Sequence, residues 1–270
     1  MTLKCHMESI KTLREKTGAG MVDCKQALDE AGGDIEKAIE ILRKKGIAKA
    51  AKRGDREASE GIIAVAVNGA NNEGYIVEVN SETDFVARNE QFQGFVKDVL
   101  GLIKTKKPGS LDELMNLSME NRTVKEIINN LSGTIGEKLG INRVDIIAGQ
   151  TVAAYSHLGG RIGVLVALDK AGEAELARDM AMQVAAANPK YIKPKEVPAE
   201  ELDKEKEIYK EQLLKEGKPE NIIDKIIEGK IGKYYEEVCL IKQEYIKDDK
   251  KHVEDILGDV GVEKFIRYAL

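Results

Sequence analysis

Asn80-Ser81-Glu82-Thr83-Asp84-Phe85-Val86-Ala87-Arg88 leaves a strongly strand-like run and enters a helical one. Phe85 is the odd residue in it. The chain has 4 Phe in 270 residues, and this one stands beside Asp84 on a polar connection that neither element needs. Two local readings fit. A ring and a carboxylate presented together on a strand-to-helix loop make a probe: the ring seeks an apolar crevice while the charge perturbs a nearby cation or phosphate site. Alternatively, Phe85 turns inward as a hydrophobic staple and Asp84 caps the helix that follows.

Working outward, Gly61 to Val67 and Tyr75 to Val79 are β-branched runs separated by Asn-Gly and Asn-Asn-Glu-Gly, a hairpin signal. Beyond the loop, Phe92, Phe95, Val96, Val99, Leu100 and Ile103 make one helical face over 89–105, which Lys107-Pro108-Gly109 breaks. Helical patterns at 111–117 and 123–139 precede strand character at 143–148. The plan then repeats. Thr151 to Tyr155 and Ile162 to Leu168 predict a second hairpin around His157-Leu158-Gly159-Gly160, with a helix over 173–187. In the place equivalent to Phe85 the second copy carries Asp169-Lys170-Ala171-Gly172-Glu173, so the architecture does not require an aromatic there. That comparison favours the probe.

Residues 1–46 read as three short helices. Ile10 and Leu13 line the first, Ala27 and Leu28 the second, and Ile35, Ala38, Ile39 and Leu42 the third. Thr17-Gly18-Ala19-Gly20 and Gly32-Gly33 break them, Asp34 can cap the third, and Gly46 can close it. So small a bundle has little core to spare, which leaves Met21 and Val22 exposed beside Arg14 as a partner surface, unless Met21 fills the core instead. Residues 47–60 are a polar linker, helical at most at its start, with Lys49, Lys52, Arg53 and Arg56. Late in the chain, Ala199 to Glu216 and Glu220 to Tyr235 flank Gly217-Lys218-Pro219 and predict an antiparallel helical hairpin akin to a two-stranded coiled coil. Leu202, Ile208, Leu213 and Leu214 face Ile222, Ile223, Ile226, Ile227 and Ile231 in its expected seam. Strand at 238–246, helix at 250–257 and strand at 262–268 complete the expectation.

The fold class is therefore α+β. A helical unit (1–46) and linker (47–60) precede a first α/β subdomain (61–149). A second subdomain (150–192 and 237–270) is interrupted by the hairpin (193–236). Hydrophobic residues at 42% and charged residues at 33% describe a soluble globular chain. The 47 acidic against 42 basic residues, net -5, argue against a nucleic-acid backbone as the main partner. No apolar run reaches membrane-spanning length and no signal core opens the chain, so a cytoplasmic location is expected. Cys5, Cys24 and Cys239 lack Cys-x-x-Cys spacing, and His6, His157 and His252 are scattered, so neither a disulfide framework nor a metal site is expected. No phosphate loop, dinucleotide fingerprint or nucleophile elbow occurs. No catalytic constellation and no cofactor is expected. Two rivals remain. One is a metal-dependent phosphate-handling enzyme using Glu82 and Asp84, which lacks a His and a nucleophile; the other is an RNA-associated module using the linker cations.

Leu13-Arg14-Glu15-Lys16-Thr17-Gly18-Ala19-Gly20-Met21-Val22-Asp23-Cys24-Lys25, then Thr83-Asp84-Phe85-Val86, then Arg161-Ile162-Gly163-Val164-Leu165-Val166, occur in order before the helical hairpin. Together they resemble bacterial elongation factor Ts, the nucleotide exchange factor family of the GTPase elongation factor Tu. The resemblance implies a ubiquitin-associated-like N-terminal domain, two core subdomains and a coiled-coil arm. It also implies that Thr83, Asp84, Phe85 and Val86 enter the GTPase near its magnesium and phosphate pocket. Arg14, Met21 and Val22 would dock on its nucleotide-binding domain, with His157 and Ile246 as further contacts. The chain departs from the family pattern at Val22, at Leu158, where many members have Gly, and at Glu244 to Lys247. Whether the arm serves self-association, partner contact or neither stays open.

Overall fold

The computed structural model describes residues 3–51, 53–119 and 121–270, and the side chains of Cys5, His6, Lys49 and Lys52 lie outside the described residues. Helices α1 (Leu3–Thr17), α2 (Met21–Glu30) and α3 (Ile35–Ala51) enclose Leu13, Cys24, Ala27, Leu28 and Ala38. The Asp34 carboxylate accepts the Lys37 backbone N–H at 3.1 Å and caps α3. Gly46 does not close that helix as expected. The helix runs through it to Ala51, and at Gly46 its backbone meets a second helix, described below.

The core is built from strands β1 (Glu60–Val67) and β2 (Glu73–Ser81), helices α4 (Asp84–Ala87), α5 (Glu90–Lys106) and α6 (Leu111–Asn116), the two-residue strands β3 (Ser118–Met119) and β4 (Arg122–Thr123), helix α7 (Val124–Ile135) and strand β5 (Gly140–Ala148). Strands β6 (Thr151–His157) and β7 (Ile162–Leu168) and helix α8 (Ala174–Ala187) follow. Helix α7 stops at Ile135, short of the expected 139, because Gly136 adopts φ 94 and ends it with a left-handed cap. The order β1-β2-β5 makes one antiparallel sheet; β6 and β7 join the final strand β10 (Val262–Ala269) in another, ordered β10-β7-β6.

The two sheets pack face to face. Period-two alternation sends Ile63, Ile76, Ile147, Val152, Leu165 and Tyr268 into the space between them. The opposite face of the first sheet, with Tyr75, Val77 and Val79, packs on Phe92, Val96 and Val99 of α5 and Ile128 of α7. Val164, Val166 and Leu168 of the second sheet pack on Met180, Ala181 and Val184 of α8. The central strands β2 and β7 are covered on both faces, which is why β7 reads as a continuous apolar run and β2 buries Glu78, Asn80 and Ser81 along with its apolar residues. A Cβ built on Gly163 would lie 2.3 Å from Ile63 Cγ2, so the sheets approach more closely there than a side chain allows.

Helices α9 (Ala199–Lys215) and α10 (Glu220–Val238) form the antiparallel hairpin, with Leu213, Ile223, Ile227 and Ile231 in its seam. Ile208, Leu214 and Ile222, expected there, point outward instead. The expected strand over 238–246 is also corrected. Helix α10 continues to Val238, a 3-10 turn covers Leu240–Lys242, and only Glu244–Tyr245 is strand (β8). Val238, Cys239 and Leu240 are consecutive and all buried, as at a helix end entering a core and not on an alternating pleat. The expected helix over 250–257 is half strand: β9 (Asp248–His252) pairs with β8, and α11 is Val253–Leu257.

Candidate functional site

The Thr83-to-Val86 segment is a helical turn and not an open loop. Thr83 is extended and α4 begins at Asp84. Successive helical residues diverge by about 100°, so Val86 turns into the core while Phe85 points away from it with 78% of its surface exposed. The staple reading of Phe85 therefore fails. Asp84 does not cap the next helix either: the Asn89 side chain accepts the Gln91 and Phe92 N–H groups at 2.9 and 3.3 Å. The Asp84 carboxylate instead pairs with Arg88, one turn on, at 2.9 Å.

The turn is braced from behind. The Glu137 carboxylate accepts both the Thr83 N–H (3.0 Å) and the Thr83 hydroxyl (2.7 Å). The Ser81 hydroxyl donates to the Thr83 carbonyl at 2.9 Å. Glu82 accepts the Lys138 N–H at 2.5 Å and pairs with Arg56 at 3.2 Å. The Lys138 N–H, joined by Arg56, holds the Glu82 carboxyl below the ordinary carboxylate range. Glu82 is thus committed to the protein, and among the described residues no group of three or more His, Cys, Asp or Glu is placed to hold a metal ion.

The second hairpin meets the same edge of the molecule. The Ile63 N–H donates to the Gly160 carbonyl at 2.7 Å, and Arg161 pairs with Glu60 at 2.5 Å. That Glu60 contact, with the Asp84 charge adding to it, raises the Arg161 pKa. His157 is exposed at the end of β6, where the turn begins, its Nδ1 3.0 Å from the Tyr155 hydroxyl. Beside it Leu158 is exposed and adopts φ 51, a conformation that favours glycine. This accounts for a position at which a glycine would sit more easily.

The remaining predicted residues lie farther off. Arg14, Met21 and Val22 are exposed on the helical bundle. The turn leading into Met21 packs on the core: a Cβ built on Gly18 would lie 2.9 Å from Gln91 Nε2, in the first turn of α5. Ile246 is exposed on the β8–β9 connection, its N–H donating to Gln183 of α8 at 2.9 Å. The braces Glu137 and Lys138 and the tie from Arg161 to Glu60 were missed by sequence reasoning. Arg161 opens a recognised motif and could have been singled out; a Glu after a helix-ending Gly carries no such signal. A family model described as Elongation factor TS matches residues 82–270, well over half of the chain and starting at the brace of the Phe85 turn.

Proposed function

The chain belongs to the elongation factor Ts family, and on that premise we propose that it releases GDP from elongation factor Tu by inserting Phe85 into the GTPase while Asp84 disturbs the groups holding the magnesium ion. Family membership makes it a nucleotide exchange factor in translation elongation. The finer roles rest on one observation: the only ring in the stretch is 78% exposed on a turn whose backbone is tied down on its other side. A large apolar side chain held in water gains its contacts only against a partner, and a braced turn loses little freedom on insertion.

A GTPase grips its nucleotide largely through phosphate contacts and a bridging magnesium ion, so an exchange factor must weaken those contacts without blocking nucleotide entry permanently. Asp84 can act there by exchanging its partner Arg88 for a group of the GTPase. Arg14, Met21 and Val22 dock the helical bundle, a ubiquitin-associated-like domain in this reading, on the nucleotide-binding domain. His157 and Ile246 add contacts from the second subdomain. The partner is GDP-bound or nucleotide-free elongation factor Tu, and the setting is the cytoplasm. Coupling is reciprocal: if factor weakens nucleotide tenfold, nucleotide weakens factor tenfold, about 1.4 kcal/mol each way. Rebinding of nucleotide therefore expels the factor.

The test is the release rate of fluorescent GDP from elongation factor Tu with and without this protein. Strong acceleration is expected. An unchanged rate with the matched partner overturns the reading.

A further inference from the structure

The helical bundle is not merely tethered to the core. Helix α3 crosses α7, and the crossing is backbone on backbone. A Cβ built on Gly133 of α7 would lie 2.5 Å from Gly46 Cα and 2.9 Å from the Gly46 carbonyl carbon and oxygen, none of which can swing aside. The reverse contact is loose: a Cβ on Gly46 would lie 3.6 Å from Asn130 Oδ1 and 3.9 Å from Gly133 Cα, ordinary van der Waals distances. Around the crossing, Arg43 pairs with Glu126 at 2.6 Å and Arg53 donates to the Ser132 carbonyl at 3.1 Å.

The same end of α7 braces the Phe85 turn. The Ser132 hydroxyl donates to the Glu137 carbonyl at 2.5 Å, and the Glu137 carboxylate holds Thr83. Lys138 reaches both sides, its N–H to Glu82 and its Nζ to the Arg56 carbonyl at 2.7 Å. One short segment, 132–138, thus holds the bundle on one side and the Phe85 turn on the other.

We infer that Gly133 is a positioning residue that sets the Arg14–Met21–Val22 surface in register with the core that carries Phe85, His157 and Ile246, so that bundle and core reach elongation factor Tu as one preassembled surface. This inference rests on the exchange reading above. Fixing the two patches relative to one another removes an ordering cost from binding, so the residue governs how much factor is needed and not how fast bound factor works.

The asymmetry of the crossing supplies its own control. Helix propensity favours Ala over Gly at both positions, but only Gly133→Ala meets backbone. In the full-length protein, Gly133→Ala is expected to keep its helical circular dichroism while trypsin cuts faster after Arg53 and Arg56. It should raise the factor concentration for half-maximal GDP release about tenfold, with the plateau rate unchanged, because lost preorganisation acts on binding. Gly46→Ala should match the parent in both assays. Cleavage of Gly133→Ala no faster than the parent overturns the docking. Faster cleavage with an unchanged half-maximal concentration, or a lowered plateau, overturns the shared register. A parent that leaves GDP release unaltered overturns the exchange reading and this inference with it, and is told apart from the other outcomes because it needs no variant.

Discussion

Phe85 and Val86 are neighbours on one helical turn with opposite tasks. Val86 is buried against the first subdomain and holds the turn down, while Phe85 stands in solvent. Their truncations should therefore separate. Phe85→Ala removes almost no intramolecular packing, so its stability should stay within about 0.5 kcal/mol of the parent. Its maximal rate of GDP release from elongation factor Tu should fall at least tenfold, with the half-maximal factor concentration little changed, because the proposed function assigns docking to the bundle and the second subdomain. Val86→Ala should show the reverse, losing about 1.5–3 kcal/mol of stability. Stopped-flow release together with thermal unfolding of both variants reads the two axes. A Phe85→Ala protein that exchanges nucleotide at the parental rate would sink the insertion role.

At the scale of elements, the helical hairpin shows what a one-residue offset decides. Leu213 and Leu214 are adjacent leucines on α9, yet 2% of Leu213 and 46% of Leu214 is exposed. Both satisfy the apolar spacing in the sequence, and only the angle at which α10 crosses chooses between them. Leu213→Ala should loosen the arm by about 2–5 kcal/mol, seen as faster amide exchange throughout α9 and α10, while Leu214→Ala should leave that exchange unaltered. Equal protection in the two variants would contradict the seam. The hairpins and the long helices were legible in the sequence because burial imposes period two or 3.6 on them. The stretch from Val238 to His252 was not, since a buried apolar triplet at a helix end carries no period. The exposure of Phe85 was legible by comparison with the second copy of the plan. Its braces were not: Glu137 meets Thr83 across 54 residues of chain, a pairing that only the fold creates.

Across the whole molecule, one charge network ties the two sheets together. Glu78 of β2 stands opposite Arg143 of β5 in the register and is bonded to it at 2.6 Å, with Asn80 and Asn142 also donating to its carboxylate. The guanidinium lies 3.9 Å from the centre of the Tyr268 ring on β10 and donates to the Ala269 carbonyl at 3.3 Å, while the Tyr268 hydroxyl donates to Asp145 at 2.6 Å. The first sheet thus grips the last strand of the second. Burial alone would raise the Glu78 pKa, but the hydrogen bonds from Asn142, Arg143 and Asn80 outweigh it and hold the carboxyl below its ordinary value. The sign of the pH effect follows. A carboxyl that binds its proton less tightly when folded contributes its full stabilisation above the unfolded pKa of about 4.3, and loses it as pH falls through the folded value. Glu78→Gln keeps the shape but not the charge, so at pH 7 it should cost about 1–3 kcal/mol through weakened bonds to Arg143. The difference from the parent should narrow as pH drops below about 4, where the parental carboxyl is itself being protonated. Denaturant unfolding of both proteins from pH 7 to pH 3 measures this. Other carboxylates titrate in the same window in both chains, so the difference isolates Glu78, and a gap that stays constant with pH would show that its charge does not join the sheets.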